Sequence, residues 1–210
     1  MPRGRLITVE GIDGAGKTTL VAGLERQLRA RGAPVTALRE PGSVEVAERL
    51  RELVKDPALA VEPRSEALIY AAARAQLVEE RLEPMLERGE WALLDRFVDS
   101  SLAYQGAGRG LGVEAVRTIN AFATGGLEPD RTLLLDLEPA TGRSRQGGRL
   151  EGSDRLEREE DPFFEAIVAA YEQLARDDPG RIRVLDASEP PEQVLAAAFA
   201  AIVDLIAHDP

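Results

Sequence analysis

The residues Gly11-Ile12-Asp13-Gly14-Ala15-Gly16-Lys17-Thr18 have the spacing Gly-x-x-x-x-Gly-Lys-Ser/Thr. Glycines at those places let successive backbone N–H groups turn inward and wrap a phosphate, and a helix starting directly afterwards adds its positive end. Lys17 is then placed to reach the β- and γ-phosphates of a nucleotide and Thr18 to give a hydroxyl to Mg²⁺, with Thr19 closing the cradle. With 19 Gly and 2 Lys in 210 residues, such a match arises by chance about once per thousand chains. Other chemistries are poorly served. There is no cysteine, the single histidine is His208, and the single asparagine, Asn120, is followed by Ala121. Thiolate metal sites, His-based triads and the Asn-Lys-x-Asp element of a GTPase are therefore excluded.

Four further segments carry polar side chains suited to a second substrate. They are Arg39-Glu40-Pro41-Gly42; Tyr70 to Gln76 with Arg74; Asp95-Arg96-Phe97 followed by Ser100-Ser101-Leu102-Ala103-Tyr104-Gln105-Gly106; and an arginine-rich stretch holding Arg143, Arg145 and Arg149. Arginine offers a planar fork suited to phosphates and carboxylates.

Short apolar runs must position these segments. Leu6–Val9, Val35–Leu38, Trp91–Leu94, Thr132–Leu137 and Ile182–Leu185 have the length of buried parallel strands. Between them lie stretches with helical spacing: Leu20 to Leu28 ending near Gly32, Val44–Val54, Ser65–Glu80, a helix opened by Pro84, Val113–Ala123, Pro162–Arg176 and Pro191–Ala207. Such alternation predicts a parallel sheet covered by helices on both faces, with ligands beyond the carboxyl ends of the strands. The candidate segments all fall at those ends or on the helices that follow.

The order Glu-Gly-Ile-Asp-Gly-Ala-Gly-Lys-Thr-Thr, Arg-Glu-Pro-Gly, Asp-Arg-Phe…Ser-Ser-x-Ala-Tyr-Gln-Gly and Asp186-Ala187-Ser188 resembles the thymidylate kinase family, from about Leu6 to Ile202. The resemblance implies a three-layer α/β/α fold of the P-loop nucleoside-monophosphate-kinase type, with a five-stranded parallel sheet. It implies transfer of the γ-phosphoryl group of ATP to dTMP, giving dTDP and ADP in dTTP biosynthesis, with Mg²⁺. Residues Gly11 to Thr19 would hold ATP. Arg96 matches the arginine on the acceptor phosphate, with Arg39, Glu40 and Pro41 near the same end and Ser101 within the matching block. Asp13 matches an aspartate near the acceptor sugar and phosphate. Tyr70 matches an aromatic stacked on thymine and Arg74 an arginine reaching the base edge. Tyr104 matches a tyrosine under the sugar, and Gln105 either bonds the base or lines its pocket. Asp95 either orients Arg96 or holds Mg²⁺ through water, beside Thr18. Gly14 stands where the eukaryotic type carries arginine, so Arg145 or Arg149, in a basic lid loop at about 139–153, is the expected catalytic arginine. The bland alternatives are a core aromatic for Tyr70 and ordinary ion pairs for the lid arginines. The resemblance also implies a homodimer.

The chain departs from the family pattern in three places. Ser43-Val44 follow the Arg-Glu-Pro-Gly turn in place of Gly-Thr, Ala72-Ala73 precede Arg74 and deprive it of a neighbouring polar partner, and Leu77 stands where histidine is common. These bear on acceptor positioning, so a kinase for UMP, dUMP or a deoxynucleoside is the rival enzyme reading, and a nucleotide-binding regulator the rival of another class.

The length predicts a single domain spanning 1–210. The net charge of −11 argues against nucleic acid as a partner. The apolar run after Arg5 stops at Glu10, and the longest run, Val194–Val203, is too short to cross a bilayer and reads as a buried helix. A cytoplasmic protein without membrane contact is expected.

Overall fold

The computed structural model describes residues 3–146, 156 and 159–207. Five strands, β1 (Leu6–Glu10), β2 (Val35–Arg39), β3 (Trp91–Asp95), β4 (Arg131–Asp136) and β5 (Ile182–Asp186), form one sheet in the order β2-β3-β1-β4-β5. All four pairings are parallel. This is the expected α/β architecture. After β1 the chain builds one side of the sheet with β2 and β3, then crosses to the other for β4 and β5. The carboxyl end of β1 is thus a topological switch point, where such sheets bind ligands.

Side chains alternate across the sheet with the period of a strand. Ile7, Val9 and Leu93 join Leu20, Val21, Leu24 and Leu28 of helix α1 (Lys17–Arg29) in one apolar cluster. Leu6, Ala92 and Leu94 join Leu77, Leu82, Met85 and Leu86 in another. Burying each such side chain stabilises the fold by roughly 1.5–3 kcal/mol, so the sheet is gripped from both faces.

Four strands run further than the apolar pattern predicts. Glu10, Arg39, Asp95 and Asp186 are the last residues of β1, β2, β3 and β5, and the ladder pairs Val9 with Asp95 and Arg39 with Asp95. These strand ends carry polar side chains, so hydropathy no longer reports the backbone there.

The remaining helices are α2 (Glu45–Lys55), α3 (Pro63–Leu77), α4 (Glu83–Glu87), α5 (Val98–Ser101), α6 (Val113–Thr124), α7 (Pro139–Gln146), α8 (Asp161–Asp177), α9 (Pro191–Ala200) and α10 (Val203–Ala207). Pro84 stands in the first turn of α4, as the sequence predicts, but that helix does not begin afresh there. A π-helical turn over Val78–Leu82 joins α3 to α4 without a break, and its wider loop leaves room for the proline ring, which would clash with the carbonyl four residues back in a regular α-helix. The predicted C-terminal helix bends at Ala201–Ile202. It buries only the stripe Val194, Ala198 and Ile202, while Val203 is 51% exposed, so it is amphipathic rather than wholly buried. The predicted lid loop is helical over its first part: α7 starts on the Glu138 carbonyl, which accepts from the N–H groups of Thr141 and Gly142. The rest of that stretch, Arg149 included, lies outside the described residues.

Candidate active site

The sequence between β1 and α1 folds as a cradle whose glycines are needed for their conformation. Gly14 has φ +82, and a Cβ there would lie 2.3 Å from the Gly142 carbonyl oxygen; a Cβ on Gly142 would lie 2.7 Å from the Asp13 carbonyl. The cradle and α7 thus meet backbone to backbone, and position 14 has no room for a side chain. Lys17, 7% exposed, folds back into the cradle, donating to the carbonyls of Gly11 (3.1 Å) and Ile12 (2.8 Å). Thr18 Oγ1 donates to Asp95 Oδ2 at 2.8 Å. A hydroxyl and a carboxylate side by side fit Mg²⁺, which prefers oxygen and takes few protein ligands beside substrate phosphates. No group of three or more His, Cys, Asp or Glu suited to a metal occurs among the described residues.

Arg96 follows β3 and points back at the cradle. Its Nη1 donates to the Gly11 carbonyl (3.1 Å) and to Ser100 Oγ (3.0 Å), and its Nη2 to Asp13 Oδ1 (2.7 Å) and the Tyr104 hydroxyl (3.2 Å). Its guanidinium carbon also stands 4.9 Å from the centre of the Tyr104 ring. Lys17 and Arg96 therefore converge on one carbonyl oxygen, that of Gly11, with the Asp13 carboxylate 3.7 Å from the Lys17 ammonium. The backbone at Arg96 has φ +72, a conformation that costs a non-glycine residue about 1 kcal/mol or more and persists only where the surroundings impose it.

A cleft of about 1170 Å³ opens over these groups. Its lining includes Asp13, Lys17, Thr18, Thr19, Arg39, Glu40, Pro41, Tyr70, Arg74, Asp95, Arg96, Ser101, Tyr104, Gln105 and Arg145. The structure thus brings together candidates from every segment singled out in the sequence. The π-helical turn Leu102–Gly108 carries Tyr104 and Gln105 into the wall; such turns recur at functional sites.

Three of these residues are committed differently from their expected roles. Arg74 is buried and committed to protein: Nε donates to Glu40 (2.8 Å), Nη2 to the Phe97 carbonyl (2.9 Å), and Nη1 to Ser101 (2.9 Å) and Asn120, while Nη2 also lies 2.6 Å from Glu40 as an ion pair. With four hydrogen bonds and an ion pair inside the protein out of the five donors a guanidinium has, Arg74 braces the wall. Asn120, Ser101 and Glu40 supply the polar partners that Ala72 and Ala73 lack. Arg39 is held by Glu48, both carboxylate oxygens at 3.0 Å. Arg145 donates to the Ala187 carbonyl at 2.9 Å, which ties α7 to the end of β5, while Arg143 pairs with Asp161 at 3.1 Å. At Ser43, where the family has glycine, the backbone adopts φ +72, and the hydroxyl bonds both the N–H and the carbonyl of Arg39, compensating for the strain.

The sequence gives little sign of three partners. Glu10, wholly buried, accepts from the Phe97 N–H at 2.7 Å, from Tyr171 at 3.1 Å and from Ser100. Glu66, also wholly buried, accepts from Gln105 Nε2 at 2.8 Å. Asn120 joins Arg74. The only signal available was polarity out of place: a charge ending an apolar run, and a sole asparagine on the face of α6 that buries Val116 and Ala123.

Electrostatics follow from this crowding. Burial opposes ionisation of Asp13, but Arg96 and then Lys17 outweigh it and hold the carboxyl well below the usual carboxylate range. Burial, then Arg96, pushes the Lys17 ammonium down to about 8; an arriving polyphosphate would reverse that. Burial, then the charge of Asp99, raises Glu10 from 4.5 to about 7. The folded state then holds the Glu10 proton more tightly than the unfolded chain. This contribution to stability is complete below about pH 4.5 and is lost as the pH rises through 7. The melting midpoint is accordingly expected to fall between pH 5 and 7.5 more steeply in the parent protein than in Glu10→Gln; parallel profiles would refute the shift.

Fold and site together define a class: P-loop phosphotransferases that bring the phosphates of one nucleotide against a second anionic substrate. A family model described as thymidylate kinase matches residues 9–198, and the chain belongs to the thymidylate kinase family. It is 50% identical to the thymidylate kinase of Deinococcus radiodurans, over 96% of this chain and 98% of that one. It is 47% identical to that of Lactobacillus delbrueckii subsp. bulgaricus, over 93% and 94%, and 47% identical to that of Bordetella pertussis, over 99% and 98%.

Proposed function

We propose that this chain is an ATP-dependent dTMP kinase, moving the γ-phosphoryl group of ATP to dTMP to give dTDP and ADP in dTTP biosynthesis. The observation that carries this reading is the convergence of Lys17 and Arg96 on the Gly11 carbonyl oxygen. One cation comes from a donor-phosphate cradle and the other from beyond a different strand, so two anions would meet between them. Phosphoryl transfer is chiefly positioning and charge stabilisation. The acceptor phosphate loses its second proton at about pH 6 and is already nucleophilic at neutral pH, so no general base is required.

In this reading Gly11 to Thr19 hold ATP, and Mg²⁺, between Thr18 and Asp95, would draw charge from the transferring phosphoryl group. Arg96 takes the acceptor phosphate, with Asp13 and Tyr104 beneath its sugar. Tyr70 and Gln105 face the base, and Arg74, Glu40 and Ser101 keep that wall rigid. Gln105 gives its amide N–H to Glu66, which turns its carbonyl oxygen toward the role of acceptor, the partner an imide N–H of thymine needs. Arg145 or Arg149 supplies the transition-state charge from a lid over about 139–153 of a single domain. A coupled ADP-release assay with dTMP, dUMP, UMP and thymidine tests the assignment. Turnover greatest with dTMP is expected; turnover with thymidine alone, or with none of the four, would sink it.

Two wider assignments belong to the same reading. Helix α3 packs against both α2 and α6, yet Leu68 on α3 and Phe122 on α6 are 56% and 93% exposed. Large apolar side chains so exposed are suited to a self-complementary interface, and we assign this face to a homodimer. Phe122→Glu is expected to shift the parent dimer to monomer in sedimentation velocity; an unchanged coefficient would exclude this face. Among the described residues no helix is long and apolar enough to cross a membrane, in keeping with a cytoplasmic enzyme.

A further inference from the structure

Glu10 takes no direct part in the reaction proposed above, yet it is wholly buried and its bonds all lead toward Arg96. The Arg96 N–H donates to the Val9 carbonyl at 3.0 Å. The next N–H along, that of Phe97, donates to Glu10 Oε1 at 2.7 Å. The peptide groups on either side of the Arg96 α-carbon are therefore tied to two successive residues of β1, one through its backbone and one through its side chain. Between two such anchors the backbone at Arg96 is held at φ +72. The far end of the side chain is fixed by the same carboxyl group: Ser100 Oγ donates to Glu10 Oε2 and accepts from Arg96 Nη1 at 3.0 Å. Tyr171 of α8 donates to Glu10 Oε2 (3.1 Å), and its hydroxyl oxygen stands 3.0 Å from Ser100 Oγ, so three side chains crowd around one carboxyl group.

We propose that Glu10 is a positioning residue: its two carboxyl oxygens set the backbone and the guanidinium of Arg96, and through them the place of the acceptor phosphate. The inference rests on Arg96 holding that phosphate. A carboxyl group suits the task because both oxygens accept, so one group can hold a main-chain N–H and a hydroxyl together. Misplacing a substrate by as little as 1 Å can cost about a hundredfold in rate, so a small rotation of the guanidinium is enough to matter.

Glu10→Gln is the variant of choice, since it keeps a carbonyl oxygen for Phe97 and a similar volume. It is expected to raise the KM for dTMP by about tenfold while the KM for ATP stays within about twofold. A merely structural role would lower the amount of active protein and leave both KM values alone. In an Arg96→Gly background the same substitution is expected to change kcat/KM for dTMP by less than about twofold, because residues acting through one another do not add. The proposal is overturned by an unchanged or lower KM for dTMP in folded Glu10→Gln, the latter meaning that Glu10 acts as a repelling charge. It is equally overturned by the same loss in both backgrounds. Should Glu10→Gln not fold, Ser100→Ala removes the hydroxyl that links Glu10 to the guanidinium, together with its contact to Tyr171, while leaving the Phe97 N–H bond to Glu10 in place, and is expected to raise the KM for dTMP several-fold; no change there rejects the proposal. The parent protein is assayed first: failure to turn over dTMP at all would strike the functional reading, whereas a normal parent with an indifferent variant strikes only the role of Glu10.

Discussion

Lys17→Ala is expected to lower kcat by about a thousandfold, the scale on which a preorganised charge at a transition state acts. The substitution should leave the fold intact, for local reasons. Of the two carbonyls that Lys17 bonds, that of Gly11 keeps Arg96 as a donor at 3.1 Å, and that of Ile12 keeps the Ala15 N–H at 3.3 Å. Neither is orphaned. The lysine is itself a burden on the nucleotide-free protein: burial, then Arg96, pushes its ammonium from 10.5 to about 8, so below pH 8 the fold carries a buried cation it would shed more easily than the unfolded chain. That is a cost of order 3 kcal/mol, which alanine removes. The variant should therefore melt no lower than the parent while the coupled assay finds almost no turnover. Activity within tenfold of the parent would mean that Lys17 does not touch the transferring phosphate, and a collapsed melt would mean that its loss reports folding.

Arg96→Gly should cost about as much in kcat/KM for dTMP, roughly a thousandfold, with the KM for ATP little changed. Glycine is a better probe than alanine because φ is +72 here. It accepts that conformation without a steric penalty, so the backbone strain, about 1 kcal/mol, is relieved as the guanidinium is removed. The loss on the other side is the 2.7 Å pair with Asp13. Asp13 keeps Lys17 nearby and its side chain is 32% exposed, so water can take up part of the solvation. Near-UV circular dichroism close to that of the parent, together with an acceptor that no longer saturates, is the expected pair of observations. Unchanged saturation by dTMP would place the acceptor phosphate somewhere other than Arg96 and dissolve the proposed site.

The two predictions differ in how far the sequence alone could have supported them. The importance of Lys17 follows from a motif eight residues long, because a phosphate cradle is built by consecutive backbone groups and so leaves a local trace. The five strands are equally local. A strand buried on both faces must be apolar almost throughout, and the runs starting near Leu6, Val35, Trp91, Thr132 and Ile182 say so. Even there the trace fades at the carboxyl ends, where the polar residues Glu10, Arg39, Asp95 and Asp186 extend the ladder.

What the chain order could not show is which polar groups meet. Arg74 and Asn120 are 46 residues apart, Glu66 and Gln105 are 39 apart, and Glu10 and Phe97 are 87 apart. Such pairings exist only once β1 lies beside β3 and α3 beside α6. They decide that Arg74 is committed to the wall, that Arg39 is occupied by Glu48, and that the start of the expected lid is a helix packed against the cradle. Residue types and short spacings thus determined the glycine cradle before α1 and the layers of the fold, since both are written in neighbouring residues. The tertiary structure alone decided which polar groups meet around the cleft, because a buried hydrogen-bonding group is assigned its partner by whatever the packing brings within reach.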